Sequence, residues 1–251
     1  MPSLTRIAMP ISRFYCPQRL GPGQTLDLPP DAAHHAAKVL RLEAGHEITL
    51  FNGEGGEYAA AITHISKNSV TVKTTAFHER ENESPLAVTL AQAISGGDKM
   101  DYTLQKAVEL GITHIQPLAS ERCVVKLSGE RAEKRVRHWQ QVVISACEQC
   151  GRNRVPFVAP IQPLIHWLGE LPPETQHLML APGAQHSLSE LPAPNTPITL
   201  LIGPEGGLSP AEIRAAESRG FTPVRLGPRV LRTETAALTA LAAMQTLWGD
   251  F

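Results

Sequence analysis

Ten residues near the C-terminus, Leu226-Gly227-Pro228-Arg229-Val230-Leu231-Arg232-Thr233-Glu234-Thr235, place two guanidiniums, a carboxylate and two hydroxyls within seven positions. Guanidinium donors suit planar or phosphate acceptors, and the run opens onto an apolar stretch that reads as a helix, whose N-terminus favours negative charge. A plain turn into a helix needs one cap, which Thr233 supplies, and little else. The surplus of polar groups therefore points to a site. A second run, Thr199-Leu200-Leu201-Ile202-Gly203-Pro204-Glu205-Gly206-Gly207-Leu208-Ser209-Pro210-Ala211-Glu212, carries an apolar strand into three glycines and a proline. Its end fits a capping box, with Ser209 at the N-cap, Pro210 first in the helix and Glu212 at the third position. Glycines lack a Cβ, so a flat ligand can lie against their backbone. A tight strand-to-helix turn accounts for this second run equally well.

Other chemistries lack their residues. No G-x-x-x-x-G-K-[ST] phosphate loop and no G-x-G-x-x-G follows a strand, which removes the main support for P-loop and dinucleotide enzymes. Of the four cysteines, Cys147-Glu148-Gln149-Cys150 forms a single C-x-x-C late in an expected helix. Zinc would want a second close pair, and redox chemistry would want the motif at a helix start, so no metal is expected. The ten histidines are scattered without an H-E-x-x-H.

The chain has 251 residues, room for one or two domains, and no apolar stretch long enough to cross a bilayer. Residues 1–10 lack periodicity and read as a leader, with Met9 as an alternative start. They carry no signal-peptide pattern, which places the protein in the cytoplasm. Residues 13–77 are β-rich, with strands expected at 47–51, 57–65 and 69–75 and a short helix at 32–40, as in a small barrel. Residues 78–85 are acidic and polar and read as a linker, giving domains at 9–77 and 86–251. Beyond it strands at 86–94, 112–118, 155–159, 177–181, 198–202 and 222–226 alternate with helices at 98–110, 130–150, 210–219 and 235–248. The 130–150 helix carries Val136, Trp139, Val143 and Ala146 as its apolar stripe. That rhythm implies an α/β domain with a mainly parallel sheet covered on both faces.

The formal net charge is −1, yet residues 121–154 hold eight bases against four acids, and residues 155–213 hold no Lys or Arg. Concentrated bases suit a phosphate-rich partner, and a solvated helix face accounts for them as well.

The two late runs, with Gly96-Gly97-Asp98-Lys99-Met100, Glu121-Arg122-Cys123 and Cys147-Glu148-Gln149-Cys150-Gly151-Arg152, closely resemble the bacterial ribosomal RNA small subunit methyltransferase E family of the SPOUT superfamily, from about Met9 onward. The resemblance implies S-adenosylmethionine-dependent methylation of N3 of uridine 1498 in 16S rRNA within the small ribosomal subunit. It implies a PUA-like RNA-binding β-barrel, an α/β domain whose last strands form a trefoil knot around the cofactor, and a homodimer. Under it, the cofactor residues are Leu180, Ile202, Gly203, Pro204, Glu205, Gly206, Gly207, Leu226, Gly227, Val230, Leu231 and Thr235. Arg232 would steady charge developing on the uracil, and Glu234 would orient Arg232 or take the proton. Arg13, Arg41, Arg131, Lys134, Arg135 and Arg152 would meet RNA phosphates. Two other classes stay open on the residues alone: a non-catalytic RNA-binding or ribosome-assembly protein, and a small-molecule α/β enzyme.

Overall fold

A computed structural model describes residues 11–171 and 174–251, so the leader before Met9 lies outside the described residues. The chain divides into two compact units, one running to Asn82 and regaining Glu148–Arg154, the other comprising Glu83–Cys147 and Val155–Phe251.

The first unit contains β1 (Ser12–Tyr15), β2 (Thr25–Asp27), α1 (Pro30–His34), β3 (Glu47–Phe51), β4 (Glu57–Ile65) and β5 (Val70–His78). Its five-stranded sheet has the order β1-β3-β4-β5-β2, antiparallel except for the β1–β3 pair. Alternate residues such as Ile48 and Leu50, Ala60 and Ile62, and Val70 and Val72 turn inward onto Phe14 and Ala36, as the two-residue period of a strand requires. The helix expected at 32–40 begins two residues earlier, with Pro30 in its first turn, and widens over His35–Val39, where the Leu40 amide reaches back to the His35 carbonyl at 2.9 Å. Arg41 follows in the left-handed region, φ +53°.

The stretch expected as a linker is tied down. β5 continues to His78, the Asn153 side chain donates to the Arg80 carbonyl at 2.6 Å, and Asn82 donates to the Gly151 carbonyl at 3.0 Å. These bonds explain why Glu148–Arg154 belongs to the first unit, a return that reading along the chain does not anticipate.

The second unit contains β6 (Val88–Ala93), α2 (Lys99–Glu109), β7 (His114–Ala119), α3 (Gly129–Cys150), whose last turn groups with the first unit, β8 (Phe157–Val158), β9 (Gln162–Pro163), α4 (Leu164–Gly169), β10 (Gln176–Leu180), β11 (His186–Ser187), β12 (Ile198–Ile202), α5 (Pro210–Ser218), β13 (Thr222–Arg225) and α6 (Thr233–Trp248). The sheet order is β11-β13-β10-β12-β6-β7-β8, with β9 also beside β7, and every pair is parallel. All five residues of β12 are buried, the continuous apolar run of a strand covered on both faces. α2 buries Met100, Leu104 and Val108, and α3 buries Trp139, Val143 and Ala146 while Val136 stays half-buried. Among the described residues no helix is long and apolar enough to cross a membrane.

Candidate functional site

β10 lies between β12 and β13, and the chain leaves β10 for β11 at the sheet edge beyond β13, returns to β12 on the other side and then crosses over to β13. Parallel sheets bind ligands outside the carboxyl ends of strands at such a reversal. A cavity of about 550 Å³ opens there, within the second unit. Its wall is built from Met179 to Pro182 at the end of β10, from the segment beginning at Ile202, the last residue of β12, and from residues between Val224 and Arg232 around the end of β13, with Lys99, Ile213, Thr233 and Ala236. Such a volume fits a nucleoside-sized ligand.

Leu180, Ile202, Gly203, Pro204, Glu205, Gly207, Leu226, Gly227, Val230 and Leu231 line this cavity together, as does Arg232. Gly206 does not. It backs onto Arg122, whose Cβ lies 3.3 Å from where a Gly206 Cβ would stand. Thr235 is exposed on the first turn of α6, outside the lining. Glu234 also lies outside it. Among the described residues its carboxylate makes no ion pair with Arg232, which removes the expected orienting contact, and its buried Oε2 has no hydrogen-bond partner. Lys99, Arg225 and Arg229, to which the sequence reading gives no cofactor or catalytic role, add three cations to the wall.

The glycine loop is braced from outside. Its turn closes with the Gly207 amide donating to the Pro204 carbonyl at 2.8 Å, and Gly207 holds φ +67°, where a side chain would be strained. Gly203 packs so closely that an added Cβ would stand 3.1 Å from the Leu208 nitrogen. Arg122 Nη1 donates to the carbonyls of Gly206 at 3.0 Å and Leu208 at 3.4 Å. Glu205 Oε1 accepts from the Gly96 amide and from Lys99 Nζ, both at 3.0 Å. Partial burial alone would raise the Glu205 carboxyl, but its own amide, the Gly96 amide and Lys99 outweigh this and hold it below the usual range. The capping box forms as expected. The Ser209 amide donates to Glu212 Oε2 at 2.8 Å, the Glu212 amide to Ser209 Oγ at 3.3 Å, and the other Glu212 oxygen accepts from the Glu121 amide at 2.7 Å. On the opposite wall Arg225 donates to the carbonyls of Ala184, at 3.0 Å, and Gln185.

Thr233 is not the cap. Arg232 occupies the N-cap position of α6 with no side-chain capping bond, and Thr233, already helical, donates from Oγ1 to the Gly203 carbonyl at 2.7 Å.

The expected phosphate-binding residues divide. Arg41, Arg131 and Lys134 are exposed, and Arg135 is half-buried beside the Trp139 ring at 5.7 Å. Arg152 is buried within the first unit and Arg13 half-buried there, which corrects the open surface position expected of them. Arg13 pairs with Glu57, donates to Asn153 Oδ1 at 2.6 Å and lies over the Phe51 ring at 5.0 Å, while Arg152 is 3% exposed. Among the described residues no cluster of three or more His, Cys, Asp or Glu is arranged to hold a metal.

Residues 82–245 match the family model of an RNA methyltransferase domain, and residues 28–75 match that of an RNA methyltransferase PUA domain. The ribosomal RNA small subunit methyltransferase E of Buchnera aphidicola (subsp. Schizaphis graminum) is 35% identical, covering 96% of this chain and 98% of its own. That of Bacillus subtilis is 30% identical, covering 90% and 92%. Among solved structures, a putative methyltransferase from Legionella pneumophila in complex with S-adenosylmethionine has TM-score 0.93 at 43% identity, covering 97% of this chain and all of that one. The ribosomal RNA small subunit methyltransferase E of Neisseria gonorrhoeae, bound to S-adenosylmethionine, has TM-score 0.90 at 47% identity, covering 96% and 99%. With both domains matched and the likeness running over nearly the whole length, the chain belongs to the ribosomal RNA small subunit methyltransferase E family.

Proposed function

We propose that this chain transfers the methyl group of S-adenosylmethionine to N3 of uridine 1498 of 16S rRNA, in the cytoplasm and on the small ribosomal subunit. The observation that carries this reading is the cavity of about 550 Å³ walled by the glycine loop on one side and residues Leu226 to Arg232 on the other. Backbone brought within reach by Gly203 and Gly207 suits the flat face of adenosine, and Leu180, Ile202 and Leu231 give it apolar cover. S-adenosylmethionine, when bound, supplies an electrophilic methyl on a sulfonium.

The chain's own residues supply alignment and charge. Fixing the attacking nitrogen in line with the methyl removes much of the entropic part of the barrier. Uridine N3 must shed a proton, which leaves negative charge on the flanking carbonyl oxygens. Arg232, on the cavity wall, donates to that charge as it develops. Glu234 stands outside the lining, so the N3 proton passes to water. Arg41, Arg131, Lys134 and Arg135 meet RNA phosphates, giving salt-dependent affinity. In this reading the last strands carry the trefoil knot of the SPOUT superfamily, the first unit serves as a PUA-like RNA-binding barrel, and two copies form a homodimer.

Purified protein, labelled S-adenosylmethionine and 30S particles test the proposal, with mass mapping of the product. The expected result is one methyl at N3 of uridine 1498, and a loss of about 100-fold or more in rate for Arg232→Ala with cofactor affinity unchanged. Methyl on another base, or an Arg232→Ala variant at full rate, overturns the substrate or the role. A non-catalytic RNA binder would give no saturable heat with S-adenosylhomocysteine.

A further inference from the structure

The two loops that face each other across the cavity are joined through one hydroxyl. Gln92, fully buried on the central strand β6, stands in register beside Ile202, the last residue of β12. Its Nε2 donates to the carbonyl of Ala93 at 2.9 Å and to Thr233 Oγ1 at 3.0 Å. Thr233 Oγ1 in turn donates to the Gly203 carbonyl at 2.7 Å. A threonine hydroxyl has one proton to give and lone pairs to accept with, so the direction of both bonds is settled.

Gly203 is followed by Pro204, whose nitrogen carries no proton, so the carbonyl is the one polar group of that peptide unit available to an anchor. Planarity of the peptide then carries the constraint forward into the turn closed between Pro204 and Gly207. On the other side Thr233 is the first helical residue of α6, so the same bond fixes where the 226–232 loop must end. Thr233 is 5% exposed, and breaking either bond leaves a buried polar group unpaired.

We infer that the Gln92–Thr233–Gly203 relay is a positioning device for methyl-donor binding. It holds the glycine loop and the start of α6 at the separation the nucleoside requires. Gln92 stands behind the wall and acts only through Thr233, whereas Thr233 lines the cavity and acts through the Gly203 carbonyl. The inference rests on the cofactor reading above.

Titration calorimetry with S-adenosylhomocysteine on the full chain, alongside thermal unfolding of the ligand-free protein and rates on 30S particles, tests it. Thr233→Val keeps the shape and loses the hydroxyl, and should weaken S-adenosylhomocysteine binding about tenfold while leaving the KM for RNA unchanged. Thr233→Ser keeps the hydroxyl and should bind within about twofold of the parent. Gln92→Leu frees the hydroxyl to turn away, and should weaken binding about threefold. Adding it to Thr233→Val should cost nothing further, because a relay already cut has nothing left to lose. A merely structural role predicts lowered unfolding temperatures with unchanged affinity in all of these variants, and that result overturns the inference. So does a serine variant as weak as the valine one. Should Thr233→Val fail to fold, Gln92→Leu with parental affinity overturns it alone. A parent protein that binds no S-adenosylhomocysteine fails the cofactor reading instead, before any variant is compared.

Discussion

Replacing Gly203 with alanine separates a steric requirement of the glycine loop from a conformational one. A Cβ at this position would stand 3.1 Å from the Leu208 nitrogen, 3.2 Å from Leu208 Cγ and 3.3 Å from the Gly207 carbonyl carbon. Relaxed contact between carbon atoms lies at about 3.5–4.0 Å, and two of these three neighbours are backbone atoms that cannot swing aside. The loop must open by a few tenths of an ångström, which puts the substitution among overpacking changes costing about 1–3 kcal/mol. Gly203 is not at positive φ, so no backbone strain is added. Gly207 is the converse. Its φ is +67° and nothing lies within 4 Å of an added Cβ, so alanine there costs about 1–2 kcal/mol of purely backbone strain. Urea unfolding should therefore show comparable destabilisation for both variants. Calorimetry with S-adenosylhomocysteine should separate them, with affinity falling about tenfold or more for Gly203→Ala and clearly less for Gly207→Ala, because only the first forces the wall to move. Parental affinity in Gly203→Ala, or a larger loss in Gly207→Ala, would refute the reasoning.

Two further outcomes concern the first unit. Arg13→Ala should destabilise the protein by about 1–3 kcal/mol in denaturant unfolding, because among the described residues the buried Glu57 carboxylate then keeps only the more distant Arg80, at 3.9 Å; unchanged stability with weakened RNA binding would return Arg13 to the RNA surface. Burial pushes the Glu148 carboxyl up from 4.5, an effect partly offset by the Tyr15 amide, His35 and Arg13. An acid whose folded value is raised holds its proton more tightly when folded, so its contribution to stability falls as pH rises from the ordinary carboxylate range through the folded value. Glu148→Gln should gain on the parent across that window and keep a constant advantage above it, as read from unfolding midpoints between about pH 4 and pH 8; parallel curves would remove the charge-burial argument.

Local features of the site were legible along the chain because local chemistry dictates them. The passage from buried β12 through glycines into a capped helix is written in consecutive residues, and ten of the twelve residues that the family resemblance names for the cofactor meet at the cavity. Misreadings arose where the deciding partner is distant in sequence. Thr233 looks like a cap until the Gly203 carbonyl, 30 positions away, claims its proton. Arg13 looks like a surface cation until Glu57 and Asn153, 44 and 140 positions away, enclose it. α4 spans six residues, and β9 and β11 two each, too short for periodicity to register. The return of Glu148–Arg154 to the first unit is likewise a property of long-range hydrogen bonds, not of composition.

The four cations on the cavity wall are not equivalent. Lys99 is held by Glu205, and Arg225 by the Ala184 and Gln185 carbonyls with Glu190 at 3.9 Å, so the charge of each already faces a carboxylate of the protein. Among the described residues Arg229 and Arg232 make no side-chain hydrogen bond or ion pair, which leaves two guanidiniums able, under the proposed function, to answer charge that appears as the target base loses its proton. Their backbones differ. Arg229 lies within a loop that turns through Gly227 at φ +76°, whereas the Arg232 carbonyl accepts from the Ala236 amide at 2.7 Å and its neighbour Thr233 is tied to Gly203. Stabilisation of a developing anion depends on donors whose position is settled before the charge arrives. Arg232 therefore combines an uncommitted guanidinium with a fixed Cα, and under the proposed function the relay inferred to space the cofactor walls would also aim the residue assigned to the base.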